Sequence, residues 1–153
     1  MNLQAILDEL SIHYRVLRHD SRYTAQALAA VEHVSGRKVI KPVIVRADGQ
    51  FVMCVLPASY KIDLDELKAQ IEASEVHLAD EGEMRQIFQD CELGAQPPVG
   101  RFWGMTTLMD ESLCAHNHVT FQAGSHNEAV TMSLAEYRRL AMPEMAHFGR
   151  CGD

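Results

Sequence analysis

The sequence predicts an α+β fold with a mixed or largely antiparallel sheet. Three observations lead there. Strand-like runs and helical spacings are interleaved along the chain, an Asp48-Gly49 pair between two apolar runs signals a hairpin, and three acceptor-to-acid pairs mark helix starts. Leu3, Ile6, Leu7 and Leu10 recur at i, i+3, i+4 and i+7, so the chain opens with a short amphipathic helix. Tyr14 to Arg18 reads as a strand. Thr24 caps a helix whose Ala27, Val31 and Val34 share a face, and Gly36 supplies its left-handed stop. The runs VIKPVIVR and FVMCVL flank the hairpin turn, and Pro42 lacks an N–H, so the first of these strands is expected to be at an edge or bulged there. Asp63 with Glu66, Asp80 with Glu83, and Ser133 with Glu136 begin three further helices. Between the last two lie the loop LGAQPPVG and candidate strands at Met105 to Met109 and Val119 to Ala123. The stretch from His147 to Asp153 shows no regular pattern and is expected to be loose.

At 153 residues, 47% hydrophobic and 23% charged, the chain matches one globular domain and excludes disordered or low-complexity classes. No apolar run approaches the roughly 18 residues that cross a bilayer. The N-terminus MNLQAILDEL carries acids where a secretion signal needs bases, so a cytoplasmic location is expected, with no membrane partner. Four cysteines without a CxxC pair read as free thiols. The net charge of -7 argues against coating nucleic acid by bulk attraction. Yet His13 to Arg46 holds seven Lys or Arg against two acids, whereas Asp63 to Glu92 holds ten acids against two bases. A surface polarised in this way steers a phosphate-bearing partner to one side.

Lys41 interrupts a strand that is apolar at both parities, where a charged amine is expensive unless it snorkels or meets an anion. Two readings stand: an edge lysine reaching water beside Pro42, or a lysine at the floor of a cleft that receives a phosphate or carboxylate oxygen. Ala123-Gly124-Ser125-His126-Asn127 follows a strand-like VTFQ. It reads as a plain hairpin turn or as a backbone N–H aimed at a carbonyl oxygen that becomes negative in a transition state. The Gly94 to Gly100 loop, stiffened by Pro97 and Pro98, can wall a pocket.

Rival chemistries fit less well. Cys114, His116 and His118 alternate and would share one face of a strand, but they lack the loop spacings of recognised zinc sites, so no metal is assigned. No signature of a cysteine hydrolase flanks Cys91 or Cys114. Met53, Met84, Met105 and Met132 read as core fillers, and Trp103 either packs or stacks on a base.

Taken in order, these features resemble the YbaK/prolyl-tRNA synthetase associated domain family. The resemblance rests on His19 and Thr24, the Val-Ile-Lys41 strand, the hairpin into Val55-Leu56-Pro57-Ala58, Gly94 with Pro97-Pro98 and Gly100, Asp110, and Ala123-Gly124-Ser125-His126. It implies a single domain over residues 1–153, with a mixed, largely antiparallel, partly closed sheet flanked by helices. It also implies an aminoacyl-tRNA deacylase, a hydrolase that guards translation fidelity by cleaving a wrong small amino acid such as Ala, Ser or Cys from a tRNA in trans. By the same resemblance Lys41 engages the sugar-phosphate of the terminal adenosine and Gly124 contacts the scissile carbonyl. His126 and Ser125 touch substrate, while Gly94, Pro97, Pro98 and Gly100 shape the pocket. Water or the ribose 2′-hydroxyl is the nucleophile, with no cofactor, and the partners are the mischarged tRNA 3′ end and an aminoacyl-tRNA synthetase. The family commonly has Thr after the lysine, where this chain has Pro42. The other reading is a module of the same shape that binds an RNA end or a synthetase without cleavage.

Overall fold

The computed structural model describes residues 1–18 and 37–152. The helix expected after Thr24, its Gly36 stop, and His19 lie outside these residues. Helix α1 (Leu3–Glu9) is capped by Asn2, whose side chain accepts from the Ala5 N–H at 3.1 Å. Its Leu3 and Leu7 are buried, as their spacing requires, while Leu10 falls beyond the helix and is exposed.

Strand β1 (Arg15–Arg18) starts an eight-stranded mixed sheet. The long strand β2 (Arg37–Ala47) turns at Asp48-Gly49 into β3 (Gln50–Pro57), antiparallel, with Ala47 opposite Gln50. Both turn residues have positive φ, 49° and 85°, as the tight hairpin demands. The Asp48 carboxylate also accepts from the N–H groups of Ser74 and Glu75, tying the turn to the next connection. After β4 (Tyr60–Ile62), helices α2 (Leu64–Gln70) and α3 (Glu81–Ile87) begin at Asp63 and Asp80, and Asp80 forms a full capping box with Glu83. Between these helices, β5 (Val76–Leu78) pairs with the end of β2.

The second half of the chain completes the sheet. Strand β6 (Thr106–Asp110) runs parallel to β3, and β7 (His118–Gln122) runs parallel to the start of β2. Strand β8 (Glu128–Ser133) pairs with both β7 and β1, and Ser133 caps α4 (Leu134–Ala141). Strand β9 (Glu144–Ala146) closes the order β1-β8-β7-β2-β3-β6-β9.

The expectation of a loose C-terminus is corrected. Strand β10 (Gly149–Cys151) pairs with β4, and Phe148 is fully buried against Leu56 and Leu67. The buried Asp110 carboxylate holds this segment by accepting from the Phe148 and Gly149 N–H groups at 2.9 and 2.7 Å. A three-residue strand has too little pattern to be read locally; one aromatic anchor and one carboxylate decide it.

Both faces of the sheet are packed. Ile40, Ile44, Val119, Phe121, Val130 and Met132 meet Leu3 and Leu7 of α1 and Tyr137 and Leu140 of α4. On the other face Val45, Cys54 and Leu56 meet Leu67 of α2. Full burial of each such side chain contributes ~1.5–3 kcal/mol. Met53 and Met132 fill the core as expected, and Trp103 packs edge-on against Phe88, with centroids 4.7 Å apart.

Candidate active site

Strand β2 keeps β3 along one edge but divides its other edge between two strands. Arg37 to Val39 pair with β7, and Val45 to Ala47 pair with β5. Residues 40–44 therefore border a gap with no strand opposite among the described residues. The Ala58 N–H donates to the Val39 carbonyl on the β3 edge, and the Ala79 N–H donates to the Ile44 carbonyl on the gap edge. Backbone groups of odd residues thus serve β3 and those of even residues face the gap. Pro42 lies on the gap edge, so its missing N–H breaks no ladder bond, in agreement with the edge position its sequence predicts.

Alternation puts the Lys41 side chain on the face opposite Ile40 and Ile44. It is half-buried, and its ammonium has no hydrogen bond or ion pair among the described residues. Burial alone pulls its pKa below the ordinary lysine value, because desolvation disfavours the charged form. The parallel register sets Val39 beside Thr120. Two residues further along, Lys41 is level with Gln122 on the same face, where β2 and β7 have already parted. The two strands pair only through the first three residues of β2, so the edge of β2 beyond Val39 is left without a strand until β5.

The turn beyond Gln122 is welded to the loop at residues 92–95. Gly124, with φ 96°, donates its N–H to the Ala95 carbonyl at 2.8 Å and accepts from the Glu92 N–H at 2.8 Å. Glu92 Oε2 accepts from the His126 N–H at 3.1 Å. The His126 ring bridges the two segments, with Nε2 2.9 Å from the Leu93 carbonyl and Nδ1 3.2 Å from Gln122 Nε2. A tautomer protonated at Nε2 satisfies both contacts. Gly94 lies against this ring, where a Cβ would make ordinary contact with His126 Cε1 at 3.7 Å, and its φ of 86° is what favours glycine.

Gly94, Gly124, Ser125 and His126 therefore come together, with Lys41 on β2, the parallel neighbour of the strand β7 that leads to them. The donor expected of Gly124 needs correction: its N–H is engaged by Ala95, and the amide this turn presents unpartnered among the described residues is that of Ser125. Pro97, Pro98 and Gly100 are buried in the same loop. The Pro98 carbonyl accepts from Tyr137 Oη at 2.6 Å and the Gly100 N–H donates to Thr107 Oγ1 at 2.7 Å, so these two residues anchor the loop to α4 and β6. Sequence reading missed Glu92 and Ala95, because a clasp between residues about thirty positions apart leaves no local pattern.

The rival sites fare as follows. Cys114 sits on a 3-10 turn (Glu111–Ala115), not on a strand, so the alternation with His116 and His118 does not place the three on one face. Among the described residues no group of three or more His, Cys, Asp or Glu side chains is placed to hold a metal ion. Cys91 lies near Gly124, but burial and the Asp90 carboxylate push its thiol up to about 11, which keeps it protonated at neutral pH. A separate cavity of about 590 Å³, lined by Tyr60, Asp110, Cys114, His147 and Cys151 among others, contains neither Lys41 nor the Gly124 turn. No helix among the described residues is long and apolar enough to cross a membrane.

Lys41, without a counterion among the described residues, thus borders the unpaired edge of β2, on the sheet whose neighbouring strand β7 ends in the Gly124 turn. The chain belongs to the aminoacyl-tRNA editing domain family, whose model matches residues 19–140. Members of this class hydrolyse the ester of a mischarged aminoacyl-tRNA, and this chain is a hydrolase of that kind. The chain is 26% identical to the multifunctional Ser/Thr-tRNA deacylase ProXp-y of Escherichia coli K12 over 97% of this chain and 91% of the relative. It is 25% identical to the prolyl-tRNA editing protein ProX of Acetoanaerobium sticklandii over 89% of this chain and 86% of the relative. Among solved structures, a putative trans-editing enzyme for prolyl-tRNA synthetase superposes with a TM-score of 0.82 at 18% identity, covering 97% of this chain and 94% of that one. A hypothetical protein superposes with a TM-score of 0.85 at 20% identity, covering 98% and 100%. The mixed-sheet α+β fold expected from sequence is the fold of these neighbours.

Proposed function

We propose that this protein, a single editing domain over residues 1–153, acts in trans and in the cytoplasm to remove a small amino acid from a mischarged tRNA. Serine and threonine come first, ahead of alanine and cysteine. The named activity of the Escherichia coli relative supports that order. The observation that carries the reading is the half-buried Lys41 ammonium, without a protein partner among the described residues, at the point where β2 and β7 diverge.

In this mechanism Lys41 binds the phosphate of the terminal adenosine and so holds the ester in the crevice. Its attraction for a phosphate is strengthened there by the loss of water. The Ser125 N–H donates to the carbonyl oxygen as negative charge develops on it, while Gly124 and His126 hold that amide in place. Water adds to the carbonyl carbon, the bond to the ribose oxygen breaks and that oxygen takes up a proton, either at once or after the 2′-hydroxyl has first received the acyl group; an aminoacyl ester is already activated and needs no protein nucleophile. A synthetase that shares the tRNA is the natural further partner.

The test is single-turnover deacylation of tRNAs charged with Ser, Thr, Ala or Cys. Wild-type protein cleaves at least one of them, and Lys41→Ala loses about 10²-fold or more in rate, as expected for a lost positioning contact, while its circular dichroism is unchanged. Binding of every substrate without cleavage would replace the enzyme with a binding module.

A further inference from the structure

We propose that Gln96 reads the side-chain hydroxyl of the amino acid to be removed, and so makes the site selective for Ser and Thr over Ala. This rests on the deacylase reading above. Gln96 is only 3% exposed, and its Oε1 is a buried polar atom with no hydrogen-bond partner in the structure. Nε2 makes no hydrogen bond among the described residues but is not fully enclosed, so it is the Oε1 end of the amide that is buried without a partner.

A buried amide left unpaired is destabilising, and an apolar side chain of similar size would serve the fold better. The backbone on either side of it is fixed. Ala95 on one side is fully buried, with its carbonyl bound to the Gly124 N–H, and Pro98 on the other is fixed by Tyr137. Gln96 also precedes Pro97, which restricts its own backbone to extended conformations. The amide is thus held on the segment that clasps the Gly124 turn, without a protein ligand.

The chemistry of the missing partner follows from the group. A primary amide offers an acceptor and donors on one edge, which matches a hydroxyl that both gives and receives a hydrogen bond. A substrate ammonium would call for a carboxylate. Serine and threonine place a hydroxyl on Cβ, alanine leaves the amide unpaired, and the thiol of cysteine is a weak donor. A site built to bond a hydroxyl rejects the analogue without one by far more than a pocket of the same shape.

Deacylation of Ser-tRNA and Ala-tRNA by wild type and Gln96→Met tests this. Wild type is expected to favour Ser-tRNA in kcat/KM by about 10²-fold. Gln96→Met is expected to reduce that preference at least about tenfold, chiefly by slowing Ser-tRNA, and to melt at a temperature no lower than wild type. Equal loss on both substrates with a lower melting temperature would assign Gln96 to packing and overturn the proposal. So would a wild type that cleaves Ala-tRNA as fast as Ser-tRNA, a result that needs no variant to fold. A wild type inactive on every charged tRNA overturns the deacylase reading as well, whereas an active one with unchanged preference in Gln96→Met overturns this inference alone.

Discussion

Gly124 gives its N–H to the carbonyl of Ala95 at 2.8 Å, and this bond joins two loops that are far apart in sequence into one wall of the candidate cleft. The positive φ of Gly124 makes the bond possible, because it turns the peptide toward the 92–95 loop at the end of β7. The neighbouring Ser125 amide has no partner among the described residues. The Gly124 N–H is itself engaged within the wall.

Glycines at the two ends of this wall should respond differently to the same substitution. Gly124→Ala meets only Cys91 Sγ at 3.8 Å, so its penalty is backbone strain of about 1–2 kcal/mol. Gly100→Ala would place a Cβ 2.6 Å from Thr107 Oγ1 and 2.7 Å from the Met105 carbonyl, a clash partly with backbone. Thermal melts should show Gly100→Ala as the more destabilised of the two. The Gly124 variant should stay folded and lose activity, and a larger drop in melting temperature for it would contradict this assignment.

Lys41 should impose an alkaline limit on activity. Desolvation lowers its folded pKa, so the ammonium proposed to bind phosphate is lost at a pH below that of a free lysine. Between the folded and unfolded values the unfolded chain holds more protons, and this group's contribution to stability therefore rises with pH in that window. Activity and stability should move in opposite directions there. Rates corrected for spontaneous ester hydrolysis, set beside melting temperatures, would show it, and Lys41→Met should abolish the stability rise.

Asp110 should govern stability in acid. Burial raises the cost of its charge, but hydrogen bonds from Ser112 and from the Phe148 and Gly149 N–H groups outweigh this and bring its pKa below the usual value of 3.8. Its stabilising effect is complete above that value and fades as pH falls through the folded one. Asp110→Ala should lose ~2–4 kcal/mol at neutral pH, since a buried and a part-buried N–H group are orphaned. Denaturant melts at pH 7 and pH 3 would check this: the gap between variant and wild type should narrow in acid.

Much of the fold was legible because its signals are local. Asp48-Gly49 forms the expected hairpin, and Asp63, Asp80 and Ser133 cap the helices they announce, each accepting from an N–H three residues on. The short strands β4, β5, β9 and β10 were not legible, because three residues carry no period and their pairing depends on partners supplied by the rest of the chain. The 3-10 turn that holds Cys114 was not legible for a related reason: it begins where the Asp110 carboxylate accepts from the Ser112 N–H.

At the cleft the division follows the same line. An apolar strand interrupted by Lys41 and Pro42, a glycine turn before His126, and a proline-stiffened loop were determined by sequence alone, since each is a choice of residue type within a few positions. Tertiary structure decided that β2 shares one edge between β7 and β5, which leaves Lys41 beside a gap and makes Pro42 harmless there. It also decided that Ala95 takes the Gly124 N–H and that the Gln96 amide is enclosed without a partner. Hydrogen bonds are satisfied or left open by whatever packing brings within about 3 Å, and that distance is set by the whole fold.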